Sequence, residues 1–209
     1  MIDLVMFDAD GVLFESDASN VAYYNAIYAQ IGEPPLDPDE EIKAISYATE
    51  QVFALRARGN DAMLRRMKEV ARTLDSAPFL KLLRPALPLR PFMLAMRRRY
   101  RLGLATNRSA TVPALLEHLA LGDIFDAIAC ARDPVRPKPA PDILNLCMDR
   151  AGVARERAVY VGDSPVDRVA AAEAQVRFIA VGSRVKHDES VGTLAELPAV
   201  LERMSSRQE

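Results

Sequence analysis

The feature that most limits what this chain can become is its opening stretch, Leu4-Val5-Met6-Phe7-Asp8-Ala9-Asp10-Gly11-Val12-Leu13. Four apolar residues in a row predict a strand buried on both faces, as in a parallel sheet. The run stops at a carboxylate. Residues two apart on an extended backbone point the same way, so Asp8 and Asp10 project from the strand end towards one spot. Gly11 then permits a tight turn that a Cβ would strain. A calcium loop also spaces Asp residues around a Gly, but it needs further ligands close by and a Glu near its end. Glu15 falls too early for that, and the apolar run before the turn suits a strand better than a helix.

The chain beyond the turn divides in two. Residues 17–31 read as a helix with Val21, Tyr24, Tyr28 and Ile31 on one face. Asp37 followed by Pro38 starts another, with Asp39, Glu40 and Glu41 in a first turn where the helix dipole favours negative charge. It is predicted to run to about Arg58, with Ile42, Ile45, Thr49, Val52 and Leu55 as its inward stripe. Helices over 61–74 and 78–83 follow, so residues 16–84 contain helices alone. Afterwards short apolar strands at 102–105, 127–130, 158–161 and 178–181 alternate with helices. Such alternation predicts an α/β fold, a parallel sheet wrapped on both faces. The expected organisation is a core from 1–15 and 85–209, interrupted by an all-helical insert at 16–84. Ligands of open α/β sheets bind outside the carboxyl ends of the strands, so an insert starting there would lie over the site as a lid.

Composition narrows the classes. A net charge of −2 argues against bulk attraction to nucleic acid. The apolar runs are far shorter than a membrane span, and the first strand begins with no basic leader before it. Cys130 and Cys147 lack CxxC spacing and read as ordinary buried thiols. Together these favour a cytoplasmic enzyme or binding protein; the sequence is silent on oligomeric state.

Three strand ends carry chemistry: Asp8 and Asp10 on the first, Thr106 and Asn107 on the second, Asp163 and Asp167 on the fourth. Lys138 follows the third. In a parallel sheet these ends share one edge. Three or more carboxylates at one spot repel unless a cation holds them, and oxygen-only ligation selects Mg²⁺, which is held by one or two carboxylates and a substrate phosphate. A phosphate also accounts for the hydroxyl of Thr106, the amide of Asn107 and the charge of Lys138. Each residue has a plainer alternative. Thr106-Asn107 could cap a helix, Lys138 could be a solvated loop lysine, and Gly162-Asp163-Ser164-Pro165-Val166-Asp167 has the residues of a capped helix start. Lys138 nevertheless sits between Pro137 and Pro139, which fix the backbone on both sides.

In these segments the chain resembles the haloacid dehalogenase superfamily, in its phosphoglycolate phosphatase and β-phosphoglucomutase-like branch. The resemblance rests on Phe7-Asp8-Ala9-Asp10-Gly11-Val12, Ala105-Thr106-Asn107, Pro137-Lys138-Pro139 and Gly162-Asp163-Ser164-Pro165-Val166-Asp167, in that order, and on the place of the helical insert. It implies a Rossmann-like core, a helical cap and Mg²⁺-dependent phosphoryl transfer through an aspartyl-phosphate. By that resemblance Asp8 is the nucleophile and Asp10 the acid and base. Asp8, the backbone carbonyl of Asp10 and Asp163 hold the metal. Thr106, Asn107 and Lys138 bind the phosphate, and Asp167 orients the metal's waters or Lys138. An acid must be protonated part of the time, which burial and nearby negative charge would favour.

Asp10 favours phosphate esters, because the dehalogenases and phosphonatases of the superfamily lack an acid there. The mutase relatives commonly carry a His near the start of the cap, where this chain has Asn20. Asn107-Arg108-Ser109 looks more like the phosphoglycolate phosphatases. Hydrolysis of a small phosphorylated metabolite is therefore expected over mutase chemistry, with a catalytically silent binding module as the non-enzyme alternative. Lys43, Arg56, Arg58, Arg65, Arg66, Lys68 and Arg72 on the insert could meet an acidic substrate, but a charged face on amphipathic helices is ordinarily solvated. Tyr23, Tyr24 and Tyr28 could line the pocket, and a cap restricts it to small molecules.

Overall fold

The structure is a computed structural model that describes residues 1–206. Strand β1 (Leu4–Phe7) is followed by a two-residue strand, β2 (Phe14–Glu15). Five helices come next: α1 (Asp17–Ile31), α2 (Pro38–Ser46), α3 (Thr49–Ala57), α4 (Asp61–Thr73) and α5 (Ala77–Leu80). The short strand β3 (Arg84–Pro85) leads into α6 (Leu89–Arg97), β4 (Arg101–Thr106), α7 (Val112–His118) and β5 (Ala127–Cys130). Then come α8 (Asp142–Ala151), β6 (Ala158–Gly162), α9 (Pro165–Glu173), β7 (Arg177–Val181), β8 (Ser190–Val191) and α10 (Leu197–Ser206).

Six strands form one parallel sheet in the order β5-β4-β1-β6-β7-β8. The side chains of β1 are all fully buried and alternate between two cores. Val5 and Phe7 join Met93, Met96, Leu115 and Leu201 on one face; Leu4 and Met6 join Ile143, Leu144, Cys147 and Ala170 on the other. Each such side chain contributes about 1.5–3 kcal/mol on burial. That double burial is why the opening run alternates with nothing polar. The chain builds outward on one side of β1 and then returns to build on its other side. The order therefore reverses across β1, and a crevice is left at its carboxyl end. Asp8 stands there.

The helices α1–α5 have a core of their own, made by Tyr24, Ile27, Tyr28, Val52, Phe53 and Met67. The chain leaves the sheet through β2 and returns through β3. These two strands pair with each other, antiparallel, Phe14 opposite Pro85 and Glu15 opposite Arg84. Among the described residues no helix is long and apolar enough to cross a membrane.

Sequence and structure differ in a few places. The single helix expected from Asp37 to Arg58 is two helices. Asp37 caps α2, its carboxylate accepting from Glu40 N while Glu40 reaches back to Asp37 N. The backbone then turns extended at Tyr47 and Ala48, and the Gln51 side chain accepts from Ala48 N to start α3. Of the stripe expected inward, Val52 is buried, whereas Ile42 in α2 and Leu55 in α3 are 67 % and 47 % exposed; Ala44 and Phe53 are buried instead. The short helix expected at 78–83 is α5 at 77–80. The ribbon β2–β3 and the edge strand β8 carry too few residues to show a period.

Candidate active site

The carboxyl ends of β1, β4 and β6 meet the helical insert around a cavity of about 900 Å³, counting the part open to solvent. Asp8, Asp10, Thr106, Asn107, Lys138 and Asp163 all line it, so the structure brings the distant sequence segments to one place. Asp167 lies just behind, fully buried.

The turn after β1 depends on Gly11, whose φ is +73°. A Cβ there would also stand 2.0 Å from a carboxylate oxygen of Asp163, so glycine is needed both for the turn and for the approach of the β6 end. Gly162 does the same for Asp167, whose own Cβ would lie 2.5 Å from an added one. Ser164 caps α9, its hydroxyl accepting from Asp167 N at 3.2 Å. The Asp167 carboxylate folds back to accept from Ser164 N (3.1 Å) and Ser164 Oγ (2.5 Å). The 162–167 segment is thus both a helix cap and a part of the site.

Lys138 is buried, not solvated, with 2 % exposure. Its Nζ donates to Asp167 Oδ1 (2.7 Å) and Tyr160 OH (2.7 Å). It lies 2.9 Å from Asp8 Oδ1, off the line of a good hydrogen bond. Burial alone would lower its pKa, but Asp167 and Asp8 override that and raise it. Lys138 is therefore a cation at any ordinary pH. Asn107 holds its backbone from the far side: Lys138 N donates to Asn107 Oδ1 (2.8 Å), and Asn107 Nδ2 donates to Lys138 O (3.0 Å). The amide expected to meet a phosphate is engaged in positioning the lysine. The Thr106 hydroxyl accepts from Arg108 N at 3.2 Å.

The two carboxylates of the opening turn have different surroundings. Burial pushes Asp8 up to about 8, and the Lys138 charge offsets this only in part. Asp10 is gripped in a fork by Arg108, whose Nε and Nη2 donate to its two oxygens at 2.7 Å each. Burial would raise Asp10 as well, but the Arg108 charge and hydrogen bonds, with those of Ser16 and Asn20, hold it below the usual carboxylate range. That is the reverse of the expectation that burial and nearby negative charge keep it protonated part of the time. The neighbouring charge that decides is positive. Arg108 also donates to Asn20 Oδ1 at 3.2 Å, tying β4 to α1.

Oxygens of Asp8, Asp163 and Asp167 lie within 4.8 Å of one another. Asp8 Oδ1 is buried with the Lys138 ammonium 2.9 Å away, and burial together with Asp167 raises Asp163 to about 6. An all-oxygen set of three buried carboxylates, with more negative charge than the neighbouring Lys138 and Arg184 supply, fits a hard divalent cation. Asp167 itself is satisfied by Lys138, Tyr160 and Ser164, which leaves Asp8 and Asp163 as the side chains open to a metal. The Asp10 side chain, turned to Arg108, is not in that set.

Three contributors escaped the sequence. Tyr160 reads as one more residue of an apolar strand, yet its hydroxyl touches Lys138, lies 2.8 Å from Asp167 Oδ1 and 3.1 Å from the Ala105 carbonyl. Arg108 adjoins Ala105-Thr106-Asn107, and nothing near it in sequence points to Asp10, its partner across the cavity. Arg184 stands in a polar loop with no pattern, and it bridges Asp163 (2.9 Å) and Asp17 (2.7 Å) at the start of α1.

The sequence profile of the haloacid dehalogenase-like hydrolases matches residues 5–181, and the chain belongs to that family. Among its relatives, the protein CbbY of Cereibacter sphaeroides is 28 % identical over 92 % of this chain and 90 % of its own length. Phosphoglycolate phosphatase 1 of Pseudomonas aeruginosa is 27 % identical over 90 % of this chain and 72 % of its own. The crystal structure of CbbY from Rhodobacter sphaeroides in complex with phosphate superposes with a TM-score of 0.77 at 26 % identity, covering 97 % of this chain and all of that one. The expected fold, a parallel α/β core with an inserted helical cap, is the fold found.

Proposed function

We propose that the protein is a Mg²⁺-dependent phosphatase that hydrolyses a small phosphate monoester through an aspartyl-phosphate on Asp8. The observation that carries this reading is the buried Lys138, pinned between Asp8 and Asp167 at the end of the central strand. The family membership and the phosphatase named among the relatives support it.

An Asp8 oxygen attacks phosphorus, and the bond from phosphorus to the alcohol oxygen breaks. Asp10 gives that oxygen its proton. Water then attacks the phosphoryl group, Asp10 takes a proton from it, and Asp8 and inorganic phosphate are released. Arg108 must leave Asp10 before that carboxyl can carry a proton, so substrate entry has to break the fork. Lys138 and Thr106 hold the non-bridging oxygens, and Asn107 and Asp167 keep Lys138 in place. Asp8, the Asp10 carbonyl and Asp163 are the groups assigned to hold the metal. When bound, Mg²⁺ supplies charge that keeps Asp8 ionised and offsets the phosphate.

The test has two readouts. Release of phosphate from p-nitrophenyl phosphate should require Mg²⁺ and stop with EDTA. Mg²⁺ at a hundredfold excess over its dissociation constant should also stabilise the fold by about 2.7 kcal/mol, seen as a raised melting temperature, and Asp163→Asn should lose most of that rise. Metal-independent release, or an equal thermal shift in Asp163→Asn, would overturn the assignment.

A further inference from the structure

The carboxylates of Asp8, Asp163 and Asp167 converge at one point, and the cations that touch them are Lys138 and Arg184. Both come from the core. Among the described residues, none of the seven cations noted on the insert lines the cavity. Arg108 faces the same space, but its fork lies on Asp10 and that pair is neutral.

The two cations are held in different ways. Lys138 is buried and donates to Asp167 and Tyr160, with Asp8 beside it. All of these partners lie inside the site, and withdrawing the lysine would leave buried carboxylates without a counter-charge. Arg184 comes from the loop between β7 and β8, and its side chain is half exposed. Its Nη1 donates to Asp163 Oδ2 at 2.9 Å, and its Nη2 donates to Asp17 Oδ2 at 2.7 Å. Asp17 begins α1, is half exposed as well, and does not line the cavity. One arm of the guanidinium is therefore in the site and the other is outside it. On giving up Asp163, Arg184 keeps a carboxylate and gains water, and exchanges of that kind near the surface cost little.

The charges match this difference. Carboxylates that ligate a metal must be ionised. With all three ionised, Lys138 and Arg184 leave one negative charge unbalanced. Without Arg184 there are two, which a divalent cation cancels. A guanidinium and a divalent cation on the same carboxylate repel each other, and more strongly where water is sparse. Of the two cations, Arg184 is the one free to yield.

We propose that Arg184 is a displaceable counter-ion of the metal centre: it competes with Mg²⁺ for Asp163, and Asp17 retains it when the metal binds. Arg184 acts through Asp163 and is a positioning residue that sets how tightly the metal is held. The proposal rests on the Mg²⁺ reading above and deepens it.

The experiment titrates Mg²⁺ into the purified full chain without substrate, at constant ionic strength, and takes an apparent dissociation constant from the rise in melting temperature. Arg184→Ala should lower that constant about fivefold, the small end of ordinary coupling between two ligands. Arg184→Gln can donate a hydrogen bond but carries no charge, and should behave like Arg184→Ala. Arg184→Lys keeps the charge and should stay near the parent. Asp17→Asn should raise the constant about twofold, and far less once Arg184 is replaced by alanine, because Asp17 acts through Arg184. An unchanged or higher constant in Arg184→Ala would overturn the proposal and leave the metal centre standing. So would an equal drop in Arg184→Lys, which would show that charge is not what competes. An equal effect of Asp17→Asn with and without Arg184 would remove Asp17 from its part. No Mg²⁺-dependent rise in the parent would overturn the metal reading and this one together.

Discussion

The two walls of the cavity are built by different means. At the sheet ends, side chains are held by several directed polar contacts each. Asp167 alone accepts from Lys138, Tyr160, Ser164 and the backbone. On the insert, rings rest on rings with single polar contacts among them, Ser19 Oγ to the Phe79 carbonyl at 2.9 Å and Tyr24 OH to Thr49 Oγ1 at 3.4 Å. Directed bonds in a buried site fix positions, and losing one partner exposes the full desolvation cost of the other. Ring packing tolerates exchange of one apolar shape for another at smaller cost. The difference makes the sheet ends the stiffer wall and the insert the one that can vary.

Substitutions can break that contrast in graded steps. Asp8→Asn should have the largest effect, lowering kcat by about four orders of magnitude or more while circular dichroism and melting remain those of the parent. Appreciable turnover in the pure variant would remove Asp8 from its role. Lys138→Ala should cost about 3–5 kcal/mol in urea unfolding, because Asp167 and Asp8 then stay buried without a counter-charge. A loss under about 1 kcal/mol would mean that the sheet-end network is no stiffer than the insert wall. Tyr160→Phe keeps the ring and deletes only the hydroxyl bonded to Lys138 and Asp167, so about 1–3 kcal/mol is expected by the same measurement. Arg184→Ala comes last. Its side chain is half exposed, and such pairs are worth about 1 kcal/mol or less. A larger loss would show that its bridge from Asp163 to Asp17 couples the two walls.

The sequence showed most of the scaffold because the sheet is buried on both sides. Val5 and Met6 must both be apolar, and a short run ending in a carboxylate has few other homes. It could not show the break at Tyr47–Ala48. A stripe from Ile42 to Leu55 has the helical period, and the break depends on one amide of Ala48 finding the Gln51 side chain. The charged segments were visible because Asp8, Lys138 and Asp163 interrupt apolar or proline-rich surroundings. Tyr160, Arg108 and Arg184 were not, since each acquires its partners only when strands distant in sequence lie side by side. The fork on Asp10 is hidden for the same reason: Arg108 is 98 positions away.

The ribbon of β2 and β3 joins the two ends of the insert. Paired strands lie roughly 5 Å apart, so the helical segment starts and finishes at nearly the same point. Geometrically it is a loop, however many helices it contains. Its length can change without separating the two ends that join it to the sheet, because closing a longer loop costs only about 0.6 kcal/mol per doubling. A different set of helices grafted between Glu15 and Arg84 would meet the same Asp8, Lys138, Asp163 and Asp167, and would set a different wall opposite them.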